Sequence, residues 1–220
     1  MLCKTIFAQD SATIFIEAGR NVWDVLTPNR IYQLPHFVNG KIFFRNGTTT
    51  TATLNYNYLN GEIEFIRSGK DTLAIAKHQL PNIKEVLLDN RSFFYNNGYL
   101  ELLEKTAFGK LLRKRMLVVT RRQKLGAYDR PMSTTDGDTQ ESIFYIGGIM
   151  SPALKINENI TLALRSTYFV SDEFNQFLPA SKKNMIKLYS LKKPQIESYL
   201  KDNAVDFKNG ESLRKMFTSL

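Results

Sequence analysis

Asn-Gly pairs set between runs of strand-forming residues constrain this chain more than any other feature. Asn46-Gly47 precedes the run from Thr48 to Leu59, and Asn60-Gly61 separates that run from Glu62 to Arg67. A type I′ hairpin turn needs positive φ at both central residues, which Asn and Gly tolerate best, so each pair predicts a tight reversal. Between them Leu54, Tyr56 and Tyr58 alternate with Thr53, Asn55 and Asn57. Successive side chains of a strand point to opposite faces, so this alternation predicts one apolar face and one polar face. The stretch from Gly40 to Ala76 therefore reads as an antiparallel meander.

Further strand-like segments lie at 11–18, 83–88, 91–95, 99–105, 110–119, 142–149 and 160–170, divided by Asn, Asp and Gly turns. Their spacing predicts a mainly β fold, an antiparallel meander forming a sheet, a sandwich or a partly closed barrel. No long amphipathic helix interrupts the series, which disfavours a parallel α/β arrangement. Trp23 is expected to plug the core. The segment 124–141, with Gly126, Pro131, Thr134, Thr135, Gly137 and few apolar anchors, reads as a long surface loop. Beyond it the pattern becomes helical. Ser181 suits the cap of a helix over 182–189, Lys193-Pro194 suits a helix start, and Asn209-Gly210 divides that helix from a last one at 211–219. The predicted organisation is a signal-peptide remnant or disordered N-terminus at 1–10, a β-rich body at 11–178, and a small helical tail at 179–220.

The chain has 220 residues, 43% of them hydrophobic, enough for a sizeable core. Cys3 is the sole cysteine, which rules out an intrachain disulfide and a cysteine zinc cluster. His36 and His78 have no ligand-spaced partner, so no metal and no cofactor is expected. A net charge of +9 suits an anionic partner. No apolar run approaches the roughly 18 residues a membrane helix needs. Phe7-Ala8-Gln9 before Asp10-Ser11 looks like the tail of a secretory signal whose apolar front is missing. That reading predicts a periplasmic or extracellular location, with the cytoplasm as the alternative.

Several stretches together carry a likeness: Leu26 to Tyr32, Gly40 to Phe44, Leu54 to Asn57 with Glu62 to Ile66, Asp71 to Leu73, Gly98 to Glu101, Lys124 to Tyr128, Phe177 to Asn184, and Asp206-Phe207 with Leu213. Over most of its length the chain resembles a group of uncharacterised exported proteins common in Bacteroidota. The resemblance implies export and a β-rich body, and it implies no reaction. The incomplete signal at the N-terminus departs from the group's pattern.

The densest charge is Arg113-Lys114-Arg115, followed by Arg121, Arg122 and Lys124. On a strand Arg113 and Arg115 share a face, so these residues suit an anion site; a solvated edge that deters sheet-to-sheet pairing is the competing reading. Aromatics do not interleave with the charges as in a stacking platform, which disfavours nucleic acid. Thr135 to Asp138 with Glu141 offers oxygens for calcium but lacks the full loop pattern, and a polar turn explains it better. Gly147 to Ser151 lacks a nucleophile elbow, Gly69-Lys70-Asp71 is no phosphate loop, and Ser198 with Lys201 lacks companion motifs. Glu62 and Glu64 share a strand face, as paired carboxylates in glycoside hydrolysis do. Tyr56, Tyr58, Phe93, Tyr95 and Tyr99 suit a groove for an apolar ligand or peptide. Ile196, Tyr199, Leu213 and Phe217 suit docking of the tail, on the body or on a partner. The expectation is an exported, envelope-associated protein that acts by binding or assembly, with an envelope protein, lipid or polyanionic glycan as partner. A carrier or sensor with an apolar pocket is the second expectation and a hydrolase the third.

Overall fold

The computed structural model describes residues 13–67, 72–126, 131–139 and 156–220. The signal remnant at 1–10, Gly69 to Asp71, the strand expected at 142–149 and the segment Gly147 to Ser151 lie outside the described residues. The strands are β1 (Thr13–Ile16), β2 (Val38–Phe44), β3 (Thr49–Asn57), β4 (Glu62–Ile66), β5 (Thr72–Ala74), β6 (Ile83–Leu88), β7 (Arg91–Tyr95), β8 (Tyr99–Thr106), β9 (Gly109–Leu125), β10 (Pro131–Thr139), β11 (Glu158–Ser171) and β12 (Phe177–Pro179). The helices are α1 (Val22–Val25), α2 (Pro28–Ile31), α3 (Lys182–Leu188), α4 (Lys193–Asp202) and α5 (Gly210–Ser219). The fold is mainly β, and among the described residues its antiparallel sheet does not close, which favours the open sheet among the expected forms.

The described residues divide into two compact units. One is built from Leu34–Asn57, Gly61–Arg115 and Ser166–Leu220, the other from the segments ending at Gln33, Tyr58–Asn60 and Met116–Arg165. In the first, the hydrogen-bonded order is β9-β8-β7-β6-β2-β3-β4-β5, so the meander predicted around β2 to β4 extends in both directions. The register pairs Leu54 with Phe65 and Tyr56 with Ile63, which places the apolar set of β3 on one face. Gly40 stands mid-sheet because a Cβ there would approach the Leu87 carbonyl oxygen to 2.7 Å.

The turns are where the expected reversals belong, but their geometry differs. Only the glycine of each predicted pair takes positive φ, Gly47 at 87° and Gly61 at 68°. The Gly47 N–H donates to the Phe44 carbonyl and the Gly61 N–H to that of Asn57, so the loops are longer than a two-residue type I′ turn. Asn46 contributes through its side chain instead: Oδ1 accepts from the Thr48 N–H at 3.0 Å and from the Thr48 hydroxyl at 2.7 Å. Asn97-Gly98, between β7 and β8, is the pair with positive φ at both residues.

The helical tail belongs to the same unit. The Ser181 hydroxyl accepts from the Asn184 N–H at 3.2 Å and caps α3, as the sequence predicts. Asn209 caps α5 by accepting from the Glu211 and Ser212 N–H groups. Met185, Tyr189, Ile196, Leu213, Met216 and Phe217 form one buried cluster with Leu111 of β9 and Val170 of β11. The Phe108 ring lies 5.0 Å from those of both Tyr189 and Phe217. A second cluster joins Phe94, Leu100 and Leu112, with Phe169 and Phe177 packed against it.

In the other unit β1 pairs with β11, setting Ile14 opposite Leu162 and Ile16 opposite Ile160, with both isoleucines buried. The predicted plug is corrected here: Trp23 is half-buried, and its neighbours Val22 and Leu26 are the fully buried residues. The Tyr58 N–H donates to the Ile31 carbonyl and the Leu117 N–H to that of Tyr58, which ties residues 58–60 into this unit. The loop expected at 124–141 is corrected as well. Pro131–Thr139 is β10, paired with β9 from Leu125 to Val119. Few apolar anchors do not prevent a strand when a long neighbour supplies the backbone ladder. Pro131 stands first in the strand, where its missing N–H is tolerated, and a register shift between Asp136 and Thr139 accommodates the extra residues.

Candidate functional site

Three adjacent strands of the larger unit bring four charged side chains together. The register sets Phe93 of β7 opposite Glu101 of β8, and Glu101 opposite Arg113 of β9. Arg91 is two residues before Phe93 and Arg115 two after Arg113, so the period of two puts Arg91, Glu101, Arg113 and Arg115 on one sheet face. Arg91 Nη1 donates to Glu101 Oε1 at 2.6 Å, and Arg113 Nη2 donates to Oε2 at 2.8 Å. Arg115 Nη2 reaches the same Oε2 at 3.5 Å. Burial alone would raise the Glu101 pKa, but the Arg113 and Arg115 charges and the hydrogen bonds from Arg113 and Arg91 take it below the usual carboxylate range. Glu101 is thus a fixed anion.

The aromatic floor beside this group is well packed. Tyr56 stacks on Phe93 with centroids 5.5 Å apart and 20° between planes, and its hydroxyl donates to the Arg115 carbonyl at 2.8 Å. Tyr95 meets Tyr99 edge-on at 5.3 Å.

A second polar group gathers at the start of β4. Glu64 is buried and accepts from Asn57 Nδ2 at 2.9 Å. Asn55, its cross-strand neighbour, accepts from the Leu34 N–H and donates to the Leu34 carbonyl, fixing the segment before β2. Burial pushes the Glu62 carboxyl up to about 7, against the opposing pull of Lys114 and Lys77 and with a further push from Glu64. Burial lowers the Lys114 ammonium, which Glu62 counteracts, and Lys114 Nζ donates to the Asn97 carbonyl at 2.8 Å. Burial, then Glu62 and then Tyr95 raise the Tyr99 phenol far above its ordinary value.

The predicted site residues fare unequally. Of the expected anion site, Arg113 and Arg115 turn onto Glu101, so they are not the solvated edge of the competing reading. Arg121, Arg122 and Lys124 belong to the other unit, where Arg122 pairs with Glu158 at 2.5 Å while Arg121 and Lys124 are exposed. The expected groove is corrected: Tyr56, Phe93 and Tyr99 are at most 1% exposed and serve as core. Tyr58 is buried in the other unit, and Tyr95 is half-buried. Of the two dockings expected for the tail, the one on the body is what the structure shows: Ile196, Leu213 and Phe217 are at most 1% exposed, clustered with Leu111 and Val170, and Tyr199 packs against the same cluster. Ser198 and Lys201 lie on the exposed surface of α4, the Ser198 hydroxyl facing Asp202. The acidic side chains of 135–141 lie outside the described residues. Sequence reasoning missed Arg91 and Glu101. The available signal was a lone carboxylate in the apolar run Tyr99 to Leu103, which needs a cationic neighbour if that run is buried. Comparison with family models, curated proteins and solved structures returns no match to this chain.

Proposed function

We propose that this is an exported, envelope-associated protein that works by binding or assembly and not by catalysis. The observation that carries the reading is the group of three arginines around Glu101. A guanidinium keeps its proton throughout the physiological range, so this group is suited to holding an anionic partner and unsuited to general acid or base work. The net charge of +9 and the exposed Arg121 and Lys124 favour a partner of opposite sign, an acidic envelope protein, lipid or glycan. The test is fractionation of cells expressing the encoded gene, followed by crosslinking in the intact envelope. Recovery with the envelope fraction and a reproducible crosslinked partner supports the reading, and recovery with the cytoplasm alone overturns it.

One observation favours a second reading, a hydrolase using Glu62 and Glu64. A carboxyl near 7 is poised to give up a proton at working pH. Cleavage of any member of a chromogenic glycoside panel by the wild type, abolished in Glu62→Gln, would favour it over binding.

A further inference from the structure

We propose that the segment from Lys182 to Lys193 docks on an anionic lipid surface, with Leu191 entering the acyl layer and the lysines around it held at the headgroups. This deepens the envelope reading above and rests on it. From Phe174 to Ile196 the chain carries five lysines and no acidic side chain. Lys182, Lys183, Lys187 and Lys193 are exposed, and none of these four ammonium groups has an ion-pair or hydrogen-bond partner among the described residues. Lys183 and Lys187, four residues apart, share a face of α3. Each lysine near an anionic bilayer adds attraction, and the field reaches about 8 Å into physiological saline, so every ammonium need not touch a phosphate.

Leu191 supplies the second attraction. A lone exposed leucine carries little meaning on a protein surface, but this one is 95% exposed and held out by its neighbours. It sits in the single 3-10 turn Ser190–Lys192 between α3 and α4. On one side of it Tyr189 is buried, and the Tyr189 hydroxyl donates to the Ser171 carbonyl at 2.8 Å. On the other side the Lys192 ammonium donates to the Leu220 carbonyl oxygen and lies 4.9 Å from the centroid of the Phe108 ring. With Tyr189 and Lys192 both turned toward the tail cluster, Leu191 projects into solvent. A protein partner would need a preformed pocket to cover such a side chain, whereas a fluid bilayer closes around it. Nucleic acid is bound through charge and base stacking on aromatic rings, and a projecting leucine serves neither. Phe174 is 83% exposed, but Asp172 and Glu173 stand beside it, which disfavours the same surface there.

The test is flotation of the purified full chain with vesicles of phosphatidylcholine, and of phosphatidylcholine mixed equally with phosphatidylglycerol. The expected result is binding to the mixed vesicles that weakens as salt is raised, with little on phosphatidylcholine alone. Lys183→Ala combined with Lys187→Ala, and Leu191→Ala by itself, are each expected to weaken partition roughly tenfold, one through charge and the other through apolar burial. All three side chains are exposed, so these variants are expected to melt as the wild type does, which separates lost binding from a lost fold. Lys41→Ala combined with Lys84→Ala takes the same charge from exposed positions of the meander and is expected to leave binding near the wild-type level. Leu191→Trp adds a reporter, whose emission in excess of the wild type is expected to shift blue on mixed vesicles and to be quenched by brominated acyl chains. No binding to the mixed vesicles, unchanged partition in Leu191→Ala, or equal weakening by the meander pair overturns the proposal. Retention on heparin without vesicle binding assigns the lysines to a soluble polyanion and overturns it as well. Fractionation and crosslinking read the proposed function in the cell without reference to lipid affinity, so a failure on vesicles removes this surface and leaves that reading standing.

Discussion

Glu62 links folding to pH through a single carboxyl. Its pKa is about 7 in the folded chain against an ordinary value of 4.5, chiefly because burial disfavours the charged form. Below about 4.5 both folded and unfolded chains hold the proton and folding incurs no penalty. Between about 4.5 and 7 the unfolded chain releases it while the folded one keeps it, so stability falls as pH rises, and above 7 the whole penalty is present. Glu62→Gln is therefore expected to flatten that part of the profile and to melt higher than the wild type at pH 8 relative to pH 4.5. Parallel melting curves for the two proteins across the range would contradict the assignment. Gly109 makes a steric case of the same scale. A Cβ there would run into the Ser171 carbonyl oxygen and lie 2.8 Å from the Tyr189 hydroxyl, which itself donates to that carbonyl. Overpacking of this kind costs about 1–3 kcal/mol, so Gly109→Ala is expected to lower the urea midpoint with an unchanged slope. Neither role was visible in the chain, because both depend on what distant segments pack around the residue: the burial that raises the Glu62 carboxyl, and Ser171 and Tyr189 beside Gly109.

Elements were more legible than residues where the signal is local. The Ser181 cap, the Lys193-Pro194 start and the Asn209-Gly210 break are short-range features, and α3, α4 and α5 begin where they predict. Removing the Ser181 hydroxyl orphans the Asn184 N–H, so Ser181→Ala is expected to cost about 1 kcal/mol, and Ser181→Asp to retain most of the stability. Equal melting temperatures for wild type and Ser181→Ala would show that the cap contributes nothing. Strand existence was legible from alternation, as Ile14 and Ile16 of β1 and Leu54 and Tyr56 of β3 show by facing inward. Two elements were not. The strand β10 hides behind Ser, Thr, Asp and Gly because its partner β9 runs on to Leu125, and partner length is not written in the segment itself. The turn types at Asn46-Gly47 and Asn60-Gly61 also escaped, since the dipeptide marks a reversal without fixing how many residues flank it. The Arg91, Glu101, Arg113 and Arg115 group shows the same limit, because alternation assigns a face within a strand and only register across β7, β8 and β9 makes the four meet.

At the scale of the whole molecule, the sequence marks a β body followed by a helical tail but not how far the two depend on each other. The structure answers that for the larger unit, where Met185, Ile196, Leu213, Met216 and Phe217 close over Leu111 and Val170. Each such side chain contributes about 1.5–3 kcal/mol by burial, and five together rival the net stability of a typical domain, about 5–15 kcal/mol. A chain ending at Pro179 is therefore expected to lose the cooperative transition of that unit and to bind a hydrophobic dye at temperatures where the full chain does not. The midpoint substitution Phe217→Ala, costing about 3–5 kcal/mol, is expected to lower the transition while leaving it cooperative. The comparison decides between two roles for the tail. A tail held ready for a partner would come off without cost to the body, and its removal would leave the melting curve of the rest unchanged. A tail that completes the core makes its deletion a folding defect, so loss of a partner after truncation would report unfolding and not a lost contact. Partner capture has to be tested with surface substitutions such as Arg91→Ala and Arg121→Ala, which leave the cluster around Ile196 and Phe217 in place.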